Sequence, residues 1–435
     1  MRLVLISLDA VFSRDADFLL SLPNLGALAG RGVFCDRVQT IYPTLTYPVH
    51  TSLVTGCYPN RHGIGHNELF MPAIKPGRRL WYWDASHIRS DTLFTRAKMA
   101  GRTSAAILWP VTGHSGAIRY NLPEVLALPG ENQLIKALRF GSAWWMIKNE
   151  LLFGSKRKGK QQPQLDEYAA LVAAKLIKRE YAPGERFGPE GDINPSRRDE
   201  QRHMPDILAL HLVDCDDARH HYGTDSAEAR QAMIRLDLRV GQIMAALLGR
   251  KAMDETVLAV VSDHGQADVL GTLPLDSWLL ANAVPARAQT LGLGAYLHIK
   301  RGDYLPVLKA LKDNMAKLHI KHIYTREELR FMQAPEDILL AVEPEEGIMI
   351  VDDEHEEVPA ATHGFGVNHP GAQCLMWLSG PMFPAATRLE SCKIVDIAPT
   401  LAYAVGLSLP GAQGRVLEEI IKNPAPEDAQ KADLA

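Results

Sequence analysis

The sequence predicts an α/β fold in which a mostly parallel central sheet is flanked by helices and interrupted by smaller inserted subdomains. Three observations carry the prediction. Short, nearly continuous apolar runs recur at residues 3–8, 103–108, 207–213, 256–262 and 373–378. Runs of that length without polar alternation are how strands covered on both faces read. Helical patterns separate them, at 24–29, 226–248 and 395–405 among others, and strands alternating with helices favour a parallel sheet. Several runs also end in a carboxylate: Asp9, Asp214 to Asp217, and Asp263 each follow one directly. Ligands of open α/β sheets collect at the carboxyl ends of strands, so distant segments of this chain are expected to meet in one site.

Taken in order, the first run follows Met1 and Arg2, which also suits the start of a secretory signal. It stops at Asp9 and no small-residue cleavage site follows, so a buried strand is predicted. Residues 1–121 then form the first part of the core. Residues 122–204 break the pattern: they are rich in helix formers, contain Trp144 and Trp145, and carry the basic run Lys156, Arg157, Lys158 and Lys160. They are predicted to be a helical insertion or cap over the site, with 183–202, polar and rich in Gly and Pro, as a loop. The basic run is read as solvated. The core resumes at 205–274. Residues 275–359 hold short strands and a helix over about 304–317, and are predicted to be a small α+β subdomain. Residues 360–435 complete the core.

Composition narrows the function classes. The 435 residues are 46% hydrophobic and 23% charged, the profile of an ordinary globular protein. A net charge of −4 lacks the basic excess of a general nucleic-acid binder, so no stable nucleic-acid binding is expected. No apolar stretch is long enough to span a membrane. Five scattered cysteines without a CxxC argue against a disulfide framework; with no cleavable leader, the location expected is cytoplasmic.

The residues that suggest chemistry are carboxylates and histidines. Asp263-His264-Gly265 follows the run at 256–262, where the turning chain lets two adjacent side chains reach one ion and Gly265 permits the sharp turn. Asp216 and His220 are four apart, a spacing that suits a loop or the first turn of a helix. His363 precedes a glycine in a polar stretch, and Asp9 ends the first strand. Each is commonplace alone, since an Asp after a strand is often a turn former or helix cap; the information is in the set. A mixture of imidazoles and carboxylates favours zinc, and magnesium would not choose three histidines. Thr46 stands before Tyr47-Pro48 at the start of a helical pattern, which reads as an N-cap with Pro48 in the first turn. A threonine there can also serve as a nucleophile: the helix N-terminus offers N–H groups to a phosphate, and a metal can ionise the hydroxyl.

Six segments resemble the nucleotide pyrophosphatase/phosphodiesterase (type I phosphodiesterase) family of the alkaline phosphatase superfamily. They are LISLDA, YPTLTYPVHTSLVTGCYPNRHGIGHN, DCDDARHHYG, VSDHGQ, ATHGF and VDIAPTLAYAVGLSLPGAQGR, in the family's order and across nearly the whole chain. The resemblance implies an alkaline-phosphatase-like core and two divalent metal ions, with Zn2+ favoured. By position Asp9, Thr46, Asp263 and His264 would hold one, and Asp216, His220 and His363 the other. Asn67 matches an asparagine that donates to a phosphate oxygen, and Tyr47 an aromatic that packs on a substrate group such as a base. Two positions depart from the pattern. Val49 stands where the family has Asn, and Arg219 replaces a glycine before His220. Asp214, Asp216 and Asp217 therefore compete for one ligand role, and the spacing to His220 and Gly223 favours Asp216. Arg219 could add a phosphate contact but is read as a surface side chain. His50 is expected on the helix and buried, His62 in a structural turn, and His66, His221 and His369 near the motifs without being ligands.

The implied reaction is two-metal hydrolysis of phosphodiester or pyrophosphate bonds in a small phosphate ester, nucleotides included, through a phosphothreonine formed on Thr46. The same core would serve a phosphomonoesterase or a phosphonate hydrolase. A sulfatase is disfavoured because the segment from Thr46 to His50 lacks a C/S-x-P-x-R context. A non-catalytic metal-binding module is the remaining alternative, and the filled ligand and nucleophile positions argue against it.

Overall fold

The computed structural model describes residues 1–74, 78–178, 204–352 and 357–422. The expected 183–202 loop lies outside these residues. A nine-stranded sheet organises the core. Its order is Thr387–Arg388, Val33–Gln39, Gln373–Ser379, Thr256–Ser262, Arg2–Leu8, Ile207–Leu212, Ser104–Ile107 and Tyr120–Leu122, with Cys392–Lys393 also paired to Val33–Gln39. Arg2–Leu8 is central and parallel to both neighbours, with Leu5 opposite Ala209 on one side and Ala259 on the other. Gln373–Ser379 runs against the strands it joins.

The strands read as unbroken apolar runs because both faces of the sheet are covered. Val4, Ile6 and Leu8 face one core shared with helices Gln164–Lys178 and Ala227–Gly249. Leu3 and Leu5 face a second core shared with helices Thr46–Thr55 and Ile397–Ala404. Strand side chains alternate between faces, so two apolar faces leave no polar position between them. Helix Ala227–Gly249 begins where the Ser226 hydroxyl accepts from the Ala229 N–H at 3.1 Å. It lays Leu236, Val240, Ile243 and Leu247 on the sheet at helical spacing. Burying each such side chain contributes roughly 1.5–3 kcal/mol.

The 275–359 region contains a second, antiparallel sheet ordered Ile320–Tyr324, Leu340–Pro344, Ala295–Ile299, Ala286–Thr290. Helix Tyr304–Asn314 packs Val307 and Leu311 against it. This sheet braces the main one. Tyr42 and Leu45, on the approach to Thr46, pack with Tyr296 and Ala341 in one apolar cluster. In the 122–178 segment, helices Gln133–Phe140 and Ala143–Phe153 form a hairpin tied to the edge strand by a 2.8 Å bond from the Ser142 N–H to the Asn121 carbonyl. Lys156, Lys158 and Lys160 of the basic run are exposed, as expected, while Arg157 pairs with Glu150 at 2.8 Å. No helix among the described residues is long and apolar enough to cross a membrane.

Candidate active site

The carboxyl ends of three parallel strands converge. Asp9 follows Arg2–Leu8, Asp263 follows Thr256–Ser262, and helix Asp214–Tyr222 starts just beyond Ile207–Leu212. Helix Thr46–Thr55 brings its first residue to the same place. Thr46 is the first helical residue rather than the expected N-cap, which is Leu45, and its hydroxyl caps nothing. Thr46 Oγ1 instead lies 3.2 Å from His264 Nε2. A hydroxyl at the N-cap would be occupied by the N2 or N3 amide; one position later it is free for other partners.

Two groups of ligand-type atoms form. In each, one atom per residue lies within 4.8 Å of the others: Asp9, Asp263 and His264 in the first, Asp216, His220 and His363 in the second. The rings of His264 and His363 sit 4.2 Å apart, so the groups adjoin. In the first, Asp263 Oδ1 accepts from the amides of Ala10 at 3.2 Å and His264 at 2.8 Å, which leaves Oδ2 without a hydrogen-bond partner. Asp9 Oδ1 is likewise buried and unpartnered. In the second, the ring N–H at His220 Nδ1 donates to the Ala361 carbonyl at 2.7 Å, which turns the Nε2 lone pair toward Asp216 Oδ2, 3.3 Å away. His363 is buried with its Nδ1 unpartnered. Buried polar atoms are rarely left without partners. Orphaned carboxylate oxygens and imidazole nitrogens facing one another fit a divalent cation.

The electrostatics agree. Burial, followed by the charges of Asp263 and Asp216, pushes the Asp9 carboxyl well above the usual range. Burial likewise raises Asp263 to about 6 and lowers His264 to about 4. Burial would also raise Asp216, but the charges of His220, His363 and His264 hold it below its ordinary value. Three carboxylates crowded in a buried site are a cost that a cation would offset.

Residues that the sequence did not single out hold these groups in place. His211 donates from Nε2 to Asp9 Oδ2 at 2.9 Å, with Nδ1 3.6 Å from Glu124 Oε2. Burial alone would lower its pKa, yet the Asp9 and Glu124 carboxylates raise it well above 6.5. Gln266 donates to Asp216 Oδ1 at 2.5 Å. Outer partners of this kind fix ligand orientation. A signal for His211 was present: it is the one imidazole inside the apolar run Ile207–Leu212, where a polar side chain requires a partner.

Asn67 lies by the helix start, and its Oδ1 accepts from the Tyr47 N–H at 2.9 Å, which leaves the side-chain NH2 to donate elsewhere. Tyr47 departs from the expectation that it packs on a substrate. Its ring is fully buried, edge-on to Trp81 at 5.2 Å and in a cluster with Ile64 and Val111, and its hydroxyl donates to the Glu124 carbonyl at 3.4 Å. Arg219 is neither on the surface nor free for phosphate. It is fully buried, donates to Asp15 Oδ1 at 2.7 Å and to the Ala10 carbonyl, and lies over the Phe12 ring. Asp214 is engaged by Arg235 at 2.6 Å, and Asp217 faces His221, which leaves Asp216 as the carboxylate in the group. His50 is buried on the helix, with Nδ1–H donating to the Thr46 carbonyl at 2.9 Å. His62, His66 and His369 bond to their own turns.

Fold and site together define a metal-dependent hydrolase built on a mostly parallel sheet, with ligand-type groups gathered beside an alcohol side chain. The chain belongs to the type I phosphodiesterase / nucleotide pyrophosphatase family, whose model matches residues 3–370. The human ectonucleotide pyrophosphatase/phosphodiesterase family member 7 is 22% identical over 425 residues, which cover 93% of this chain and 80% of that protein. The mouse bis(5'-adenosyl)-triphosphatase enpp4 is 23% identical over 417 residues, 93% of this chain and 78% of that one. Among solved structures, an inactive form of murine ectonucleotide pyrophosphatase/phosphodiesterase 5 in complex with AMP matches with a TM-score of 0.69 at 18% identity, over 97% of this chain and 100% of that one. The expected fold class, a mostly parallel sheet with an alkaline-phosphatase-like core, is thereby shown.

Proposed function

We propose that this chain hydrolyses phosphodiester or pyrophosphate bonds of small phosphate esters, nucleotides among them, by way of a covalent phosphothreonine on Thr46. The observation that carries the reading is Thr46 Oγ1, 3.2 Å from His264 Nε2, beside two adjoining groups of ligand-type atoms. Asp9, Asp263 and His264, with Thr46, would hold one divalent ion; Asp216, His220 and His363 would hold a second. The imidazole content supports zinc. Bound there, such ions would stabilise phosphoryl oxygens and lower the pKa of an alcohol. The names of relatives, a diadenosyl triphosphatase and an AMP complex, support nucleotides as substrates.

The chain's own residues supply the rest. In the first turn of helix Thr46–Thr55 the Tyr47 N–H is held by Asn67, Pro48 has none and the Val49 N–H bonds the Leu45 carbonyl, which leaves the Thr46 N–H to meet a phosphoryl oxygen. Asn67 donates to a further oxygen through the NH2 that Tyr47 has turned outward. Thr46 Oγ1 attacks phosphorus while the bond to one ester oxygen breaks, and that alcohol or phosphate leaves. Water then attacks the phosphothreonine, returning the Thr46 hydroxyl and releasing a phosphate monoester. His50, bonded to the Thr46 carbonyl, and Trp109, edge-on to His50 at 4.9 Å, keep the helix start in register.

Metal-reconstituted protein assayed in parallel with bis-p-nitrophenyl phosphate and p-nitrophenyl phosphate tests the reading. The diester is expected to be the better substrate; a monoester preference would make the protein a phosphatase or phosphonate hydrolase on the same core. Thr46→Ala should keep most of its metal while turnover falls on the order of 10³-fold or more. Unchanged turnover would rule out the phosphothreonine.

A further inference from the structure

The segment beyond edge strand Tyr120–Leu122 turns its apolar side chains outward. Helices Gln133–Phe140 and Ala143–Phe153 bury Ala137, Met146 and Asn149 on the inner side of their hairpin. On the outer side Leu151 is 84% exposed, Trp144 75% and Ile135 66%, and Leu134, Ile147 and Leu152 are exposed as well. Trp144, Ile147 and Leu151 fall at i, i+3 and i+7, which is one stripe of a helix. Single exposed apolar side chains are ordinary, but a cluster of six large ones marks a contact surface.

The charge around the stripe says what it contacts. Residues 131–160 carry seven basic and two acidic side chains, in a chain whose net charge is −4; of the seven, Lys136 is buried beside Glu131 and Arg157 pairs with Glu150. Arg139, Lys156, Lys158 and Lys160 are exposed. A second copy of the chain meeting this face about a twofold axis would set basic side chains against basic ones. An anionic lipid surface matches all three features. Apolar side chains enter the acyl boundary, tryptophan sits at the headgroup level, and Lys and Arg reach the headgroup phosphates.

We propose that this hairpin docks the protein peripherally on anionic membranes. The docking would also place the site near the lipid. The hairpin leaves the sheet at the carboxyl end of a parallel strand, the end that carries Asp9 and Asp263. Glu124, two residues past that strand, has its Oε2 3.6 Å from His211. The proposal rests on exposure and charge alone, so it stands or falls separately from the catalytic reading.

Cosedimentation of the full chain with vesicles tests it, one set of phosphatidylcholine and phosphatidylglycerol mixed, the other of phosphatidylcholine alone. Binding to the mixed vesicles is expected, weakening as salt rises. The double variant Trp144→Ser, Leu151→Ser should bind on the order of a hundredfold more weakly. Lys158→Glu with Lys160→Glu should weaken binding to the mixed vesicles by about fivefold or more for each residue changed. All four side chains are exposed, so both variants should keep the melting temperature and the rate on bis-p-nitrophenyl phosphate. Absence of binding to mixed vesicles overturns the proposal, as does binding that neither pair alters. A dimer in gel filtration that the Trp144, Leu151 variant dissociates would also overturn it, making the hairpin a subunit contact.

Discussion

Asp9 sits on a turn whose shape is set from outside the site. The next residue, Ala10, has φ 57°, a left-handed conformation that a residue with a Cβ adopts only under constraint. Its N–H donates to Asp263, and its carbonyl accepts from Arg219, which is itself anchored by Asp15. Removing one partner of a buried ion pair leaves the other uncompensated. Arg219→Ala should therefore lower stability by about 3–5 kcal/mol in urea titration and, by freeing the Asp9 turn, weaken metal binding about tenfold or more. Lost stability with unchanged metal affinity would mean that the pair braces the fold without positioning Asp9. His62 makes a different case. Its Nε2–H donates to Ser52 Oγ at 3.1 Å and its Nδ1 accepts from the Ile64 amide at 3.1 Å, so the neutral ring is fully satisfied and a second ring proton would face an N–H. Burial holds its pKa down to about 3. A depressed histidine keeps its stabilising effect above the unfolded value of 6.5 and loses it as pH falls toward 3. The expected loss is about 1.4 kcal/mol per pH unit, and His62→Gln should flatten that part of the stability profile.

The second group of ligand-type side chains, Asp216, His220 and His363, is a product of two elements. Helix Asp214–Tyr222 places Asp216 and His220 one turn apart on the same face, and His220 is bonded to the Ala361 carbonyl beside His363. The loop carrying His363 turns at Gly364, where φ is 91° and a Cβ would fall 1.7 Å from the Leu291 carbonyl oxygen. Backbone cannot yield that far without moving the smaller sheet. Gly364→Ala is expected to displace His363, so metal analysis of the reconstituted variant should give about one equivalent less than the parent. Full metal content would show that Asp216 and His220 suffice.

For the molecule as a whole, the site is a weak point that ligand binding should strengthen. Asp9, Asp216 and Asp263 crowd a buried space, and a ligand bound only by the folded chain adds about 2.7 kcal/mol at a hundred times its Kd. Chelation should lower the melting temperature, and the gap between metal-loaded and metal-free protein should depend on pH. Asp263 is raised from 3.8 to about 6. Without metal its favourable contribution is present below 3.8 and lost as pH rises through 6. The gap is expected to widen from pH 5 to pH 7; melting curves with and without chelator at both values check this, and a constant gap would place the carboxylate cost elsewhere.

Much of this was legible in one dimension. Strands covered on both faces must be apolar throughout, so 3–8, 207–213 and 256–262 announced themselves, and the carboxylates at their ends pointed to one site. Asp263-His264 and Asp216 with His220 are neighbours through local geometry, and local geometry is written in spacing. What needed the third dimension was every role that depends on a partner far along the chain. Arg219 looked like a surface residue because its partners, Asp15 and the Ala10 carbonyl, lie some two hundred positions earlier. His211 looked like one more strand residue until Asp9 came to lie across from it. Tyr47 stood beside Thr46 in sequence, yet Trp81, Ile64 and Val111 close over its ring. By itself the sequence determined the class of fold and which side chains could bind metal, because burial and spacing are local properties. The tertiary structure alone decided which hydroxyl stayed free, which carboxylate oxygens went unpartnered and which charges were neutralised, because each depends on what the folded chain brings alongside.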